Sequence, residues 1–507
     1  MTWRGVTTVA VAVSVCSLQA ASGSAVRTFV VDYDNVLGTS LELKIGAPNQ
    51  DVADRATKRA LDEIARESRI LSSWDATSEF SRWAATHGQA VRVSPELFDV
   101  LDLFDQWRAR TNGAIDPAAQ SVINAWTAAA AQQRVPTEAE LDAAVRTVRR
   151  THWTLDRDAR TATHVSDAPL VLASFTKSYI IDHAVNAALS LEGVRFVVMN
   201  VGGDIVTRGD VTEPIAIVNP RDNAENSPAM ADIVVRDRAV ATSGDYRRGL
   251  DIGGVHYSHI VDPRTGQPAG NIISSTVVAP NPDDAGALAT AFSILTPAET
   301  ARLAAAIPDV DYLLVTKDGD TITSPGWRAL GSANGSWAPR NIKAPVAEQA
   351  TPGMWDPSME VSVNFEIPVQ GGPAKRPFVA IWIEDADRFP VRTVALWYHE
   401  DRYLTEMKAW YRADRLRSMS ETTSIVRTVG SATRAPGKYS VKWDGKDNDG
   451  KLVKAGTYTV FLEVSREHGT YQLLKQEMKF AGTPQKVQLT PGTEVAAASF
   501  DYHRIGQ

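Results

Sequence analysis

A chain of 507 residues is too long for one hydrophobic core, so two or three domains are expected. Its make-up, 44% apolar and 22% charged, is that of an ordinary soluble protein. The net charge of -7 gives no basic footprint, which excludes nucleic acid as a favoured partner.

Residues 1–25 are expected to form a secretory signal. Arg4 precedes a short apolar run from Gly5 to Ala21, and small residues follow through Ala25, where cleavage is expected there or slightly earlier. The single cysteine, Cys16, lies inside this segment, and Val15 before it is not the small residue that lipid attachment wants. The rest of the chain has no cysteine. That suits an oxidising compartment and excludes thiolate metal sites and a cysteine nucleophile. No later stretch is long and apolar enough to span a bilayer, so an exported, periplasmic protein is expected.

Alternation over 26–45 predicts two strands around a turn at 35–39, where Gly38 and Thr39 are a hairpin turn or a loop whose amides face a ligand. Helical spacing over 51–71 predicts an amphipathic helix, followed by a polar loop at 72–79 that carries Trp74. A second helix at 94–111 breaks at Asn112-Gly113. Asp116, next to Pro117, then reads as a turn or helix cap, or as an acceptor for a ligand ring. The Ala- and Arg-rich stretch 120–150 reads as surface helix, and 153–165 as a hairpin.

Lys177 falls in the first turn of a helix after a loop at 170–175. A cation there opposes the helix dipole, which makes sense if it meets an anion; an ordinary solvated lysine is the alternative. A buried strand at 195–201 ends in Gly202-Gly203-Asp204, paired glycines that serve a ligand's phosphate or a plain turn. Further strands are expected at 214–218, 233–240 and 272–279, and 281–284 should cap a helix at 285–295. Between them lie Ser243-Gly244 and the stretch Tyr257-Ser-His-Ile-Val-Asp-Pro-Arg-Thr-Gly266. Small residues let backbone approach a ligand, and His259 can serve as acid, base or donor; Asp262 to Gly266 also reads as a surface turn.

Taken together, these loops resemble the ApbE family, flavin transferases that move FMN from FAD onto a threonine or serine of a partner protein. The likeness is carried in order by Leu37-Gly-Thr39, Leu71-Ser-Ser-Trp-Asp-Ala-Thr-Ser-Glu79, Gly113-Ala-Ile-Asp-Pro117, Lys177, Asn200-Val-Gly-Gly-Asp204, Thr242-Ser-Gly244 and His259-Ile-Val-Asp-Pro263. The resemblance implies that FAD is lined by Leu37, Trp74, Ala114, Ile115, Asp116, Val171, Lys177, Gly202, Gly203, Ser243, Gly244 and Ile260. Lys177 and His259 would act at the phosphates or the acceptor hydroxyl. It also implies a magnesium ion held by the Ser174 carbonyl, an Asp at the start of an Ala-Asp-Ala-Leu-Ala-Thr helix, and the closing Thr290. The implied partner is an exported redox protein with a flavinylation motif, which this chain itself lacks.

The sequence departs from that pattern at the metal. Its helix reads Ala285-Gly286-Ala287-Leu288-Ala289-Thr290, so glycine stands where the carboxylate is expected. Asp284, two residues upstream, is a rescue ligand only if the helix starts later; otherwise it is an N-cap. Val171, Ser178 and Trp83 depart from the pattern too, at places where it has Asp, Gly and Asn. A metal-degenerate flavin carrier and a periplasmic binding module without flavin are therefore the alternatives to the transferase.

Pro and Gly accumulate over 335–377 around one alternating strand at 361–367, which reads as a linker. From 378 the pattern is β throughout, as in an immunoglobulin-like sandwich. Residues 443–450 read as a tight hairpin, because Gly445 and Lys446 spoil a calcium-loop spacing. This half resembles an uncharacterised periplasmic domain fused to ApbE-type proteins, and His468 reads as a strand-end histidine in a turn. The expected fold is thus α+β: an ApbE-like (T-fold-like) domain at 26–335, a linker at 336–376, an all-β immunoglobulin-like sandwich at 377–485 and a tail at 486–507.

Overall fold

The computed structural model describes residues 26–222, 224–227, 229–244, 249–331, 352–370, 376–398, 401–421, 425–431, 433–467 and 469–505. The expected signal segment, Asp245 to Arg247 of the small-residue stretch, much of the expected linker and His468 lie outside the described residues.

The chain enters through a hairpin of β1 (Arg27–Val36) and β2 (Thr39–Ala47). Its two-residue loop, Leu37-Gly38, has φ of 49° and 79°, the left-handed pair that matches the natural twist of joined strands. Helix α1 (Gln50–Leu71) follows, its first turn capped by the Asn49 side chain, which accepts from Val52 N at 3.0 Å. Next come α2 (Glu79–Ala84), β3 (Ala90–Arg92) and α3 (Pro95–Arg110), started by Ser94 and by proline in its first turn.

The stretch 120–150 is two helices, not one. Helix α4 (Gln120–Ala131) ends, Gln133 takes a φ of 54°, and α5 (Glu138–Val148) restarts on a Thr137/Glu140 capping box. Nor are they merely surface: Val122, Trp126, Leu141 and Val148 form a satellite core. The hairpin β4 (Trp153–Asp156) and β5 (Thr161–His164) leads to α6 (Thr176–Leu189).

Strands β6 (Phe196–Val201) and β7 (Asp204–Gly209) form a second tight hairpin on Gly202-Gly203, with φ of 58° and 94°. Then come β8 (Glu213–Ile217), β9 (Ala231–Val235) and β10 (Ala239–Gly244), so the strand expected at 233–240 is split by Asp237 at φ 47°. The small hairpin β11 (Gly249–Ile252) and β12 (Val255–Ser258) precedes β13 (Ile272–Ala279), α7 (Pro282–Ile294), α8 (Pro297–Ala305), β14 (Asp311–Thr316) and β15 (Thr321–Thr323).

Eight of these strands make one antiparallel sheet in the order β1-β2-β6-β7-β10-β13-β14-β15. One face buries Leu41, Leu43, Val197, Met199 and Val277 under the apolar stripes of α1, α6 and α7. Part of the other face is covered by β8 and β9 through Ile215, Ile233, Val240, Leu313 and Trp327. Both tight hairpin tips therefore emerge at one edge of a rigid layer. Gly202 is required there: a Cβ would stand 2.6 Å from the Thr39 side chain.

The second domain is a sandwich of two sheets. The strands are β16 (Met359–Ile367), β17 (Phe378–Glu384), β18 (Pro390–Trp397), β19 (Gly430–Ser431), β20 (Gly437–Trp443), β21 (Gly456–Ser465), β22 (Tyr471–Phe480), β23 (Gln485–Leu489) and β24 (Ala497–Arg504). They order as β20-β16-β24-β23 and β19-β18-β17-β21-β22. The strand placed in the linker is thus an inner strand of the sandwich, and the segment read as a tail supplies two more. A helix, α9 (Lys408–Glu421), interrupts the β pattern and covers Phe378, Trp382 and Phe461 with Trp410. The buried Glu463 carboxylate accepts from Ala409 N and Trp410 N at 2.8 and 2.7 Å, satisfying amides in the first turn of α9.

The domains meet where Asp222 and 224–226 lie along β20, the edge of its sheet. Glu225 N donates to Ser440 O at 2.8 Å, and Lys442 and Arg434 pair with Asp222 and Glu225, each at 3.1 Å. An exposed sheet edge is blunted in this way.

Candidate functional site

A cleft of about 2390 Å³ opens at the hairpin tips and extends to the second domain at Tyr439 and Ser440. That exceeds the several hundred Å³ of a usual small-molecule pocket. Leu37, Trp74, Ala114, Asp116, Val171, Ser174, Lys177, Gly202, Gly203, Ser243, Gly244, His259, Ile260 and Thr290 all line it. Ile115 is adjacent in sequence but points into the core, 1% exposed. Asp284 does not line the cleft.

Leu37 reaches the cleft from a backbone conformation that a non-glycine residue seldom adopts, and such strain concentrates where geometry serves function. Across from it, Asn200 Oδ1 accepts from Gly203 N at 3.0 Å and fixes the second tip. Gly202 N donates to Ser40 O at 3.0 Å, so the two tips move as one.

Lys177, the second residue of α6, is paired within the chain. Its Nζ lies 3.2 Å from Asp204 Oδ2 and donates to Val201 O at 3.2 Å, just beneath the glycine pair. The same Asp204 Oδ2 accepts from Ser178 Oγ at 3.1 Å. Asp204 and Ser178 were not among the residues expected to act here, although Asp204 closes the motif Asn200-Val-Gly-Gly-Asp204.

Asp116 caps the 3₁₀ turn Pro117–Ala119, accepting from Ala118 N at 2.8 Å. Its other oxygen stands 2.8 Å from Arg108 Nε, a pairing that sequence reading missed because Arg108 sits in the preceding helix. With a side chain 1% exposed, this carboxylate is held in one position at the cleft floor by that pairing.

Trp74 is 80% exposed on a loop made rigid by polar bonds. Ser72 Oγ accepts from Trp74 N and Asp75 N at 3.2 and 3.1 Å, and Ser78 Oγ donates to Ser72 O at 2.6 Å. Ser73 Oγ accepts from Leu172 N at 2.8 Å, which ties this loop to the 170–175 loop. A large ring held in water at a cleft mouth is a stacking platform for a flat ligand.

The loop with His259 is anchored rather than loose. Trp126 Nε1 donates to Gly266 O at 2.8 Å, and the Trp126 and Tyr257 rings lie 5.0 Å apart. Asp262 holds its own turn by accepting from Arg264 N and Nε, both at 2.9 Å. The pair also lifts the Arg264 guanidinium further above its ordinary range.

The expected metal position does not fit a magnesium ion. Thr290 Oγ1 is 3.3 Å from Ser174 O, but it is also 3.2 Å from Gly286 O and 3.5 Å from Ser243 Oγ. These are neutral oxygens grouped around the Thr290 hydroxyl, whereas magnesium wants an octahedral shell with one or two carboxylates. Helix α7 begins at Pro282 on Asn281, so Asp284 is not its N-cap, and it does not line the cleft that Thr290 lines. Its carboxylate accepts from Asn281 Nδ2 at 3.3 Å, and burial holds its pKa above the usual range. Among the described residues, the acid and histidine cluster with metal-ligand spacing is Glu63, Glu67 and His183, none of which lines the cleft.

An eight-stranded antiparallel sheet with helices on one face and a cleft at its hairpin tips is the fold of the solved ApbE proteins. The ApbE protein from Thermotoga maritima matches it with a TM-score of 0.54 and 23% identity, over 60% of this chain and 100% of that one. The flavin transferase ApbE from Vibrio cholerae matches with a TM-score of 0.51 and 22% identity, over 60% and 99%. The ApbE family profile covers residues 37–314, and the chain belongs to the ApbE family. Curated relatives are FAD:protein FMN transferases. That of Klebsiella pneumoniae is 26% identical over 336 residues, 63% of this chain and 94% of the relative. That of Rhodobacter capsulatus is 30% identical over 304 residues, 58% of this chain and 57% of the relative. Residues 360–497 match a second family, described as predicted periplasmic protein (DUF2271). No helix among the described residues is long and apolar enough to cross a membrane.

Proposed function

We propose that the first domain binds FAD in this cleft and transfers FMN from it to a serine or threonine hydroxyl of an exported redox protein. The observation that carries this reading is the convergence of Lys177, the glycine tip, Ser243-Gly244 and His259 on one cleft. The isoalloxazine would stack near Trp74 and Leu37, with Asp116 and the 170–175 loop fixing its edge. The diphosphate would lie toward Lys177, whose charge offsets that of the phosphates. In the transfer, the acceptor oxygen attacks the phosphorus on the FMN side and the bond to the AMP phosphate breaks. His259 takes the hydroxyl proton, and AMP leaves with the bond electrons. An exported, periplasmic location is part of this reading, supported by the family matched over 360–497.

One observation favours a second reading, a flavin carrier that binds without transferring. It is Gly286, which leaves the cleft without the carboxylate the chemistry would use. Mixing the protein with FAD and an acceptor carrying a flavinylation motif separates the two. AMP release with a fluorescent acceptor band is expected for the transferase; yellow protein without AMP would replace it with the carrier; no yellow protein would end both.

A further inference from the structure

Position 286 lacks a carboxylate for a reason visible in its packing. An ideal Cβ built on Gly286 would stand 2.5 Å from Ser178 Oγ and 3.3 Å from Phe175 Cα. A side chain at 286 therefore requires the Ser178 hydroxyl to turn away from its bond to Asp204. Ser178 is buried, 2% exposed, and its hydroxyl is committed to Asp204. The two positions exchange volume: the side chain missing from α7 is matched by one present on α6.

The exchange also changes the local charge. A carboxylate at 286 would add a negative group that only a cation could balance. With glycine there, the charges around Ser178 are Asp204 and the Lys177 ammonium 3.2 Å from it. Lysine carries three donors. Val201 O and Asp204 take two, and one remains for an anion. The Thr290 hydroxyl, for its part, is within bonding reach of Ser174 O and Gly286 O without any ion.

We infer that the Ser178/Gly286 pair replaces a metal-binding carboxylate, so that this cleft binds its dinucleotide without a divalent cation and with Lys177 as the facing charge. The inference rests on the reading of the cleft as an FAD site, and two measurements keep the two apart.

The first needs no FAD. Manganese, a paramagnetic probe for magnesium sites, is titrated into the full chain and into Thr290→Val, with bound ion read by electron paramagnetic resonance. No binding that depends on Thr290 is expected. A stoichiometric manganese site in the unaltered chain that Thr290→Val abolishes would overturn the inference. Ser178→Gly combined with Gly286→Asp should create such a site, whereas Gly286→Asp alone should lower the melting temperature through its clash with Ser178. A lone Gly286→Asp variant as stable as the unaltered chain contradicts the exchange of volume.

The second is FAD affinity by quenching of flavin fluorescence, in magnesium and in EDTA. The two dissociation constants should agree within about threefold, where a cation bridging the diphosphate would separate them by more than about tenfold. Loss of binding in EDTA sinks the inference but leaves the FAD site standing. Failure to bind in either buffer removes the FAD reading, and the manganese titration still decides the metal question.

Discussion

The two domains use the same kinds of residue to opposite ends. In the sandwich, large rings are spent on packing: Trp355, Trp443, Tyr458, Phe480 and Tyr502 form one cluster with centroids 4.7 to 5.9 Å apart. In the first domain, Trp74 stands in water at the mouth of the cleft, and glycines hold the hairpin tips in left-handed conformations. A region that gives up packing for exposed rings and strained turns is one arranged for a ligand. The sandwich has left-handed turns too, at Arg388, Gly445 and Gly450, but its described share of the cleft is a wall at Tyr439 and Ser440.

Substitutions in the two regions should therefore separate stability from binding. Trp443→Ala should have the largest effect on stability. It empties a site only 1% exposed and removes the hydrogen bond from Nε1 to Lys446 O at 2.8 Å, for a loss of about 3–5 kcal/mol. Thermal denaturation should show the sandwich transition falling while FAD binding by folded protein persists. If FAD affinity falls in step with stability, the division between wall and site fails. Gly202→Ala should come next, at about 1–3 kcal/mol, because it combines a φ of 58° with a Cβ 2.6 Å from Thr39. Here binding and stability should fall together, since the tip is part of the cleft. Lys177→Met should reverse the first pattern: the melting temperature should barely move, while FAD affinity drops by about tenfold or more.

The contrast also explains which parts of the molecule were legible in the sequence. Gly38 pointed to a hairpin because glycine marks left-handed turns, whereas the Gly202-Gly203 pair read equally as a phosphate site or a plain turn and proved to be a hairpin tip on the cleft. The cleft residues could be named because short ordered motifs carry them, although composition and periodicity alone left Asp116 and Lys177 open between structural and functional roles. The break within 120–150 was written in the sequence as Thr137 and Glu140, three residues apart, but was masked by the alanines on either side. Proline and glycine around β16 suggested a linker, yet strand membership is decided by partners far along the chain: β16 pairs with β20 and β24. The contact between Ser178 and position 286 was beyond reach for the same reason, because it exists only once α6 lies against α7. The place of Asp284 could not be read either, because it depends on where the helix starts: α7 begins at Pro282 on Asn281, not later.

Two smaller predictions test the first domain away from its cleft. Thr137→Ala should cost about 1 kcal/mol by removing the cap of α5, measured as a shift in denaturation midpoint with FAD affinity unchanged. The smallest effect concerns α6 itself, whose start faces the cleft through Lys177 while His183 further along pairs with the buried Glu67. Glu67 Oε1 also lies 3.1 Å from Arg66, which in turn holds Glu63, and the Tyr179 ring lies tilted against the His183 ring with centroids 4.3 Å apart. The bond to Glu67 raises the His183 pKa, against the opposing pull of burial. A histidine raised on folding contributes stability that is complete below its unfolded value of about 6.5 and is lost as pH climbs through the higher folded value. The chain should thus lose on the order of 0.5 kcal/mol across that window, the scale of a partly exposed ion pair. His183→Gln should flatten this slope in melting temperature against pH while leaving FAD affinity as it was. A slope that survives the substitution would assign it to another group and leave the inner end of α6 without a titrating pair.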